Sequence, residues 1–154
     1  MYTTNKRHID VLNDLIATTL DSAAGYQEAA EEAKSANFKS LFAKRATQRR
    51  QVTGDLKSEV RNLGGKPEDD GTILAAAHRM FLSLKSSLAG DDRSVVDEVE
   101  RGEDHIKAKF EAALNDENLP APVKATIARA YASIKADHDQ MRDLKRQLEF
   151  HAVS

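Results

Sequence analysis

Apolar residues recur at three- and four-residue steps along four long segments, and this spacing constrains the fold more than any other feature of the chain. Such a spacing places the apolar side chains along one face of an α-helix. The first predicted helix covers about residues 4–35, and the second covers about residues 36–63. The third covers about residues 91–116, and the fourth follows a Leu-Pro-Ala-Pro break at residues 119–122 and continues to about residue 150. No segment shows the alternating pattern of a strand, so the sequence predicts an all-α protein.

The connection between the second and third predicted helices decides the topology. Gly64 and Gly65 end the second helix, and Thr72 can cap a further helix that extends to about residue 88. At 1.5 Å per residue, this helix of about seventeen residues is roughly 25 Å long, which is enough to run the length of a bundle. The second and third helices are then parallel, while short connections elsewhere form antiparallel hairpins.

This arrangement predicts a ferritin-like four-helix bundle, in which two antiparallel hairpins are joined by a long crossover containing an extra short helix. The chain has 154 residues, which is the size of one domain, and no Gly/Ser-rich linker divides it. We therefore expect residues 1–154 to form a single ferritin-like domain.

The composition excludes several classes of function. The chain carries 23 Lys and Arg against 25 Asp and Glu, mixed along the sequence, so it offers no basic surface for nucleic acid. It contains no cysteine, which rules out disulfides, thiolate zinc sites and cysteine nucleophiles. No segment resembles a signal peptide or approaches the ~18 continuous apolar residues of a membrane helix. We therefore expect a cytoplasmic protein that binds neither nucleic acid nor membranes.

Glu103 is the main anomaly of the pattern, because it lies within roughly 40° of the centre of the apolar face of the third predicted helix. A buried carboxylate is costly unless it is paired. On the second predicted helix, Arg45 and Arg49 occupy inward positions between apolar residues. Tyr26 and His138 lie on the inward faces of the first and fourth helices, within about a turn of the same level. We therefore predict one polar layer, formed by Tyr26, Arg45 or Arg49, Glu103 and His138.

The same residues allow a second interpretation, as a metal site. Ferritin-like sites for two metal ions use about four carboxylates and two histidines, including Glu-x-x-His pairs that face inward. No Glu-x-x-His occurs in this chain, and arginines on the second predicted helix repel metal ions. A site for iron or manganese built on Glu103 and His138, with Glu31, Glu100 or Tyr26 as further ligands, remains an alternative to the structural layer.

Several short motifs along the chain also resemble a known family. They are Leu-Asn-Asp-Leu-Ile at residues 12–16, Gly-Tyr at 25–26 with Ala-Ala-Glu at 29–31, Leu-Gly-Gly-Lys-Pro at 63–67, Ala-His-Arg at 77–79, Glu-Arg-Gly-Glu-Asp at 100–104, Leu-Pro at 119–120 and His-Asp at 138–139. The chain resembles the uncharacterised bacterial ferritin-like four-helix-bundle proteins filed as a domain of unknown function. The resemblance covers nearly the whole chain and implies the ferritin-like fold and a stress-associated role, but it implies no reaction.

Two functional hypotheses follow. In the first, the protein is a non-enzymatic helical bundle with a buried polar layer in place of a dimetal site, and it acts through a homodimer or a protein partner. In the second, it is a ferritin-like protein that binds iron or manganese through Glu103 and His138. No Ser/His/Asp array or phosphate-binding Gly loop is readable, so the sequence assigns no catalytic residue. The few large aromatics favour extra burial by dimerisation, with the crossover helix as the candidate surface.

Overall fold

The computed structural model describes residues 2–68 and 92–153, with side chains described for residues 5–68 and 92–149. These residues form four α-helices, named here α1 (Tyr2–Glu32), α2 (Ala36–Asn62), α3 (Asp92–Leu114) and α4 (Ala121–Val153). The all-α prediction is confirmed, and the predicted helix bounds agree with these to within a few residues. The predicted crossover helix at residues 72–88 lies outside the described residues.

The tight turn between α1 and α2 is held by side chains that cap backbone N–H groups. Ser35 is the N-cap of α2, and its side chain accepts a hydrogen bond from the backbone N–H of Phe38. The carboxylate of Asp92 accepts hydrogen bonds from the backbone N–H groups of Lys34 and Ser35, at 2.6 and 2.9 Å. The first turn of α3 therefore lies at the end of the bundle where α1 meets α2.

The opposite end of the bundle joins the start of α1 to the end of α2 and the end of α3. Arg7 forms an ion pair with Asp116, just beyond α3, at 2.5 Å. The Asn13 side chain bonds the backbone of Lys66 and Glu68, just beyond α2. The chain thus leaves α2 at one end of the bundle and enters α3 at the other. Helices α2 and α3 are parallel, as the sequence predicts.

The core consists of two apolar clusters on either side of a polar level. Towards the start of α1, the larger cluster contains Leu12, Leu15, Ile16, Leu20, Leu56, Val60, Ile106, Phe110, Ala113, Leu119, Val123, Ile127, Ala130 and Ile134. Towards the α1–α2 turn, the smaller cluster contains Tyr26, Ala29, Ala33, Phe42, Ala46, Val95, Val96, Val99 and Met141. The helices pack through these apolar faces, as the three- and four-residue spacing requires. No helix in the described part of the chain has an apolar stretch long enough to cross a membrane.

Gly64 and Gly65 each have a physical reason to be glycine. Gly64 has φ 83°, in the left-handed region that ends many helices and that favours glycine. A Cβ atom on Gly65 would lie 2.7 Å from the Cδ1 atom of Ile9. The pair therefore lets the chain turn sharply after α2 and pass close to α1.

We expect Gly64→Ala to lower the free energy of unfolding by about 1 kcal/mol, because an L side chain is strained at this backbone conformation. The matched control is Gly54→Ala in α2, where an added Cβ meets nothing within 4 Å. Since alanine is the better helix former, this control should raise the free energy of unfolding by up to about 1 kcal/mol. Urea denaturation measures both. Equal effects of the two substitutions would contradict the assignment of Gly64 as the residue that requires glycine.

Candidate functional site

A buried ion pair between α2 and α3 lies at the level between the two apolar clusters. Arg49 and Glu103 are each 1% exposed. The guanidinium of Arg49 donates from Nη1 to Oε1 of Glu103 at 2.7 Å, and from Nη2 to Oε2 at 2.9 Å. This bidentate geometry is the strongest form of arginine–carboxylate pairing. Both carboxylate oxygens of Glu103 are therefore bound by a cation.

A second arginine and a second acid complete a network of four charged groups. Asp137 on α4 accepts from Arg49 Nη2 at 3.1 Å and lies 3.1 Å from Nε of Arg45. Ser22 on α1 accepts from Arg49 Nη1 at 2.7 Å. Arg45, Arg49, Glu103 and Asp137 carry two positive and two negative charges, so the network is formally neutral. We call these four residues the charge network.

Tyr26 covers the two guanidinium groups from the side of α1. Its ring centroid lies 5.8 Å from Cζ of Arg45 and 5.3 Å from Cζ of Arg49, which is within cation–π range. Its hydroxyl accepts a hydrogen bond from Arg45 Nη1 at 3.2 Å, while Arg45 Nη2 donates to Gln140. The network therefore joins an aromatic ring of α1 to charged groups of the other three helices.

Burial and the charge of Glu103 act on the pKa values of two groups at this level, Tyr26 and Arg49. Burial and the neighbouring Glu103 carboxylate raise the pKa of Tyr26, so the phenol stays neutral. Burial by itself would lower the pKa of Arg49, but the charge and hydrogen bonds of Glu103 outweigh it, and the pKa of Arg49 is raised. The site therefore holds a permanent buried cation.

The structure brings four of the predicted layer residues into contact, namely Tyr26, Arg45, Arg49 and Glu103. It places His138 elsewhere. The Nε2 atom of His138 lies 2.6 Å from Asp104, and its Nδ1 atom lies 3.2 Å from Asp139. The neighbouring Asp137 occupies the position on α4 that the sequence predicts for His138. Adjacent residues on a helix point about 100° apart, so a one-residue change moves the side chain from the network to the α3–α4 surface.

The residues proposed as metal ligands are held by different partners. Glu103 is bound by Arg49, and His138 pairs with Asp104. Glu100 accepts a hydrogen bond from Lys145 at 3.1 Å, and Glu31 is exposed near the end of α1. Within residues 5–68 and 92–149, no group of three or more His, Asp or Glu side chains is arranged to hold a metal ion. The arrangement therefore does not fit the donor set of a dimetal centre.

A cavity of about 360 Å³ lies between α1 and α3, beside the charge network. Its lining residues are Thr18, Asp21, Ser22, Gly25, Tyr26, Glu98, Val99, Arg101, Gly102, Glu103, His105 and Ile106. Apolar spacing along the sequence does not predict this cavity. Its clearest signal in the sequence is Gly102, a glycine in the interior of a helix.

Asp21 is the electrostatic anomaly of this cavity. Its Oδ1 atom is buried and has no hydrogen-bond partner among the described residues. Burial raises the pKa of the Asp21 carboxyl, and the nearby His105 opposes this shift. The cavity therefore contains one buried carboxylate oxygen that has no partner in the described part of the chain.

Comparison with known proteins shows to which family the chain belongs and which solved structure has a similar fold. A model of the family described as Domain of unknown function (DUF2383) matches residues 7–116. No curated protein matches the chain. A solved structure of a mutant of Dps1 from Mycobacterium smegmatis superimposes with a TM-score of 0.77, covering 94% of this chain and 99% of that one at 9% sequence identity. At this identity the likeness concerns the fold alone, and it confirms the prediction of a ferritin-like four-helix bundle.

Removing one charge from the network should lower the free energy of unfolding more than removing one positive and one negative charge together. We expect Arg49→Met and Glu103→Gln each to lower the free energy of unfolding by ~3 kcal/mol or more, because each leaves an unbalanced buried charge. The double variant keeps the Arg45–Asp137 pair and should be more stable than either single variant. Urea denaturation of the three variants measures this difference. Lys6→Met, which removes an exposed ion pair, serves as the control and should change stability by less than ~1 kcal/mol.

The raised pKa of Asp21 predicts how stability changes with pH. The folded protein holds this proton more tightly than the unfolded chain does, so the charged carboxylate lowers stability above the ordinary pKa of aspartate. We expect Asp21→Asn to raise the free energy of unfolding at pH 7. The gain should shrink as the pH falls and vanish well below about 3.9, where the carboxyl is protonated in both states. Asp10→Asn, at an exposed position, should show no gain at pH 7, and an equal gain there would refute this explanation.

Proposed function

The chain belongs to the DUF2383 family, and we propose that it is a non-enzymatic ferritin-like bundle whose charge network takes the place of a dimetal centre. In this proposal the protein acts by associating with a second copy of itself or with a partner protein. A stress-associated role, which the resemblance to the family implies, is part of the same proposal.

The observation that supports the proposal is that Arg49 binds both carboxylate oxygens of Glu103. In ferritin-like dimetal proteins, inward glutamates from facing helices hold the metal ions. Here the inward glutamate contacts a guanidinium at 2.7 and 2.9 Å. A metal ion at Glu103 would have to displace this guanidinium and leave Arg45 and Arg49 with Asp137 as their shared acidic partner. That rearrangement leaves one buried positive charge unbalanced, which typically costs ~3 kcal/mol or more.

Asp137 adds a second barrier to metal binding at the centre. Its carboxylate is shared by Arg45 and Arg49, at 3.1 Å from each. Both acids of the network thus form ion pairs with arginines. A divalent cation that entered the network would meet two fixed positive charges. Repulsion between like charges at such distances is strong in a site with little water.

Metal analysis of the full chain, purified without chelator, tests the proposal. We expect iron and manganese far below one equivalent per chain, and no saturable binding when Fe²⁺ or Mn²⁺ is added anaerobically. Glu103→Ala and His138→Ala should leave this result unchanged, because neither side chain is a metal ligand in our account. One equivalent of metal in the wild type, lost in both variants, would instead establish the metal-binding alternative.

Sedimentation of the same samples tests the mode of action. A species heavier than the 17.0 kDa chain would support association of identical copies. A species of 17.0 kDa at all concentrations would assign the role to a different partner protein.

A further inference from the structure

We infer that the cavity between α1 and α3 is a binding site for a small, largely apolar organic cation, such as a primary amine, whose ammonium group pairs with Asp21. The cavity adjoins the charge network, since Glu103 lines it, but Asp21 lies outside that network. Its volume of about 360 Å³ falls in the range of small-molecule sites.

Two glycines at the cavity indicate that it is kept open. Gly25 on α1 and Gly102 on α3 both line it, and each lies in the interior of a helix. Glycine at such a position costs about 1 kcal/mol relative to alanine. Close helix packing does not explain Gly102, because a Cβ atom added there would meet nothing within 4 Å. Gly102 is exposed and lines the cavity, so we expect a large side chain at this position to restrict access to it.

The polar groups of the lining leave Asp21 available to a ligand. Glu103 is bound by Arg49, the hydroxyl of Ser22 accepts from Arg49, and the hydroxyl of Thr18 donates to a backbone oxygen of its own helix. Glu98 and Arg101 pair with each other at 2.8 Å. Among these groups, the buried Oδ1 atom of Asp21 has no partner within the described part of the chain.

The charge of the lining favours a cation over an anion. With Glu98 paired to Arg101 and Glu103 paired to Arg49, the remaining carboxylate is that of Asp21, and the further titratable residue of the lining, His105, is exposed. An ammonium group would restore the hydrogen bond that Asp21 Oδ1 lacks, and its positive charge would offset the desolvation that raises the pKa of this carboxyl. The apolar body of the ligand would contact Tyr26, Val99 and Ile106. A carboxylate ligand would instead meet Asp21 with like charge.

Three aromatic probes of the same size and different charge test the inference on the full chain. They are 2-phenylethylamine, which is cationic at pH 7, neutral 2-phenylethanol and anionic phenylacetate. Binding is followed by the NMR amide shifts of Gly25 and Gly102, which line the cavity. We expect saturable shifts with the amine, weaker binding of the alcohol and none of phenylacetate. Equal binding of the amine and phenylacetate, or no saturable shift with the amine, would overturn the inference.

Two substitutions test whether the amine binds in the cavity at Asp21. Asp21→Asn should weaken binding of the amine by roughly ten- to a hundredfold, the usual contribution of a hydrogen bond to a charged group. Gly102→Leu should weaken it strongly by restricting access to the cavity. Gly54→Leu places the same side chain at another open helix position and should leave binding intact. Unchanged affinity in Asp21→Asn would refute the site. If Gly102→Leu does not fold, as judged by circular dichroism, Asp21→Asn and the three probes still decide the question.

Discussion

The bidentate pair between Arg49 and Glu103 is the constraint on which the interior of this bundle depends. A carboxylate that is 1% exposed must be neutralised within the molecule, and the guanidinium of Arg49 does so through two short hydrogen bonds. The remaining donors of the guanidinium need acceptors of their own, which Asp137 and Ser22 supply. Each helix therefore contributes at least one polar group to the same level, and sliding α2, α3 or α4 by a turn would leave a buried charge unpaired.

The Arg49–Glu103 pair contributes more to the specificity of the fold than to its stability. A buried ion pair recovers its desolvation penalty only in good geometry, and apolar replacements of the same volume are often as stable. We interpret the network as a device that sets the register of the four helices. The same charges explain why the centre is unsuited to metal ions, because both of its acids, Glu103 and Asp137, already bind arginines.

Much of the fold could be predicted from the sequence, because the prediction rests on patterns that extend over many residues and does not change if one position is misjudged. Helix bounds follow from apolar spacing over many turns, and the topology follows from the length of one connection. Glu103 and Arg49 could be found because charged residues interrupt apolar faces. Asp137 could not be found in this way. Its carboxylate reaches the network from the flank of α4, and counting helical turns does not decide whether Asp137 or His138 faces inward. The cavity could not be predicted either, because Gly25 and Gly102 are far apart in the sequence and only the packing of α1 against α3 brings them together.

The NMR spectrum of the Arg49 guanidinium tests the central claim most directly. A guanidinium held by two carboxylates and a hydroxyl, and shielded from water, cannot rotate freely about its C–N bonds. We predict separate, slowly exchanging Nη–H signals that are assigned to Arg49 because they disappear in Arg49→Lys. A single averaged Nη signal for Arg49, like that of an arginine exposed to solvent, would contradict the account.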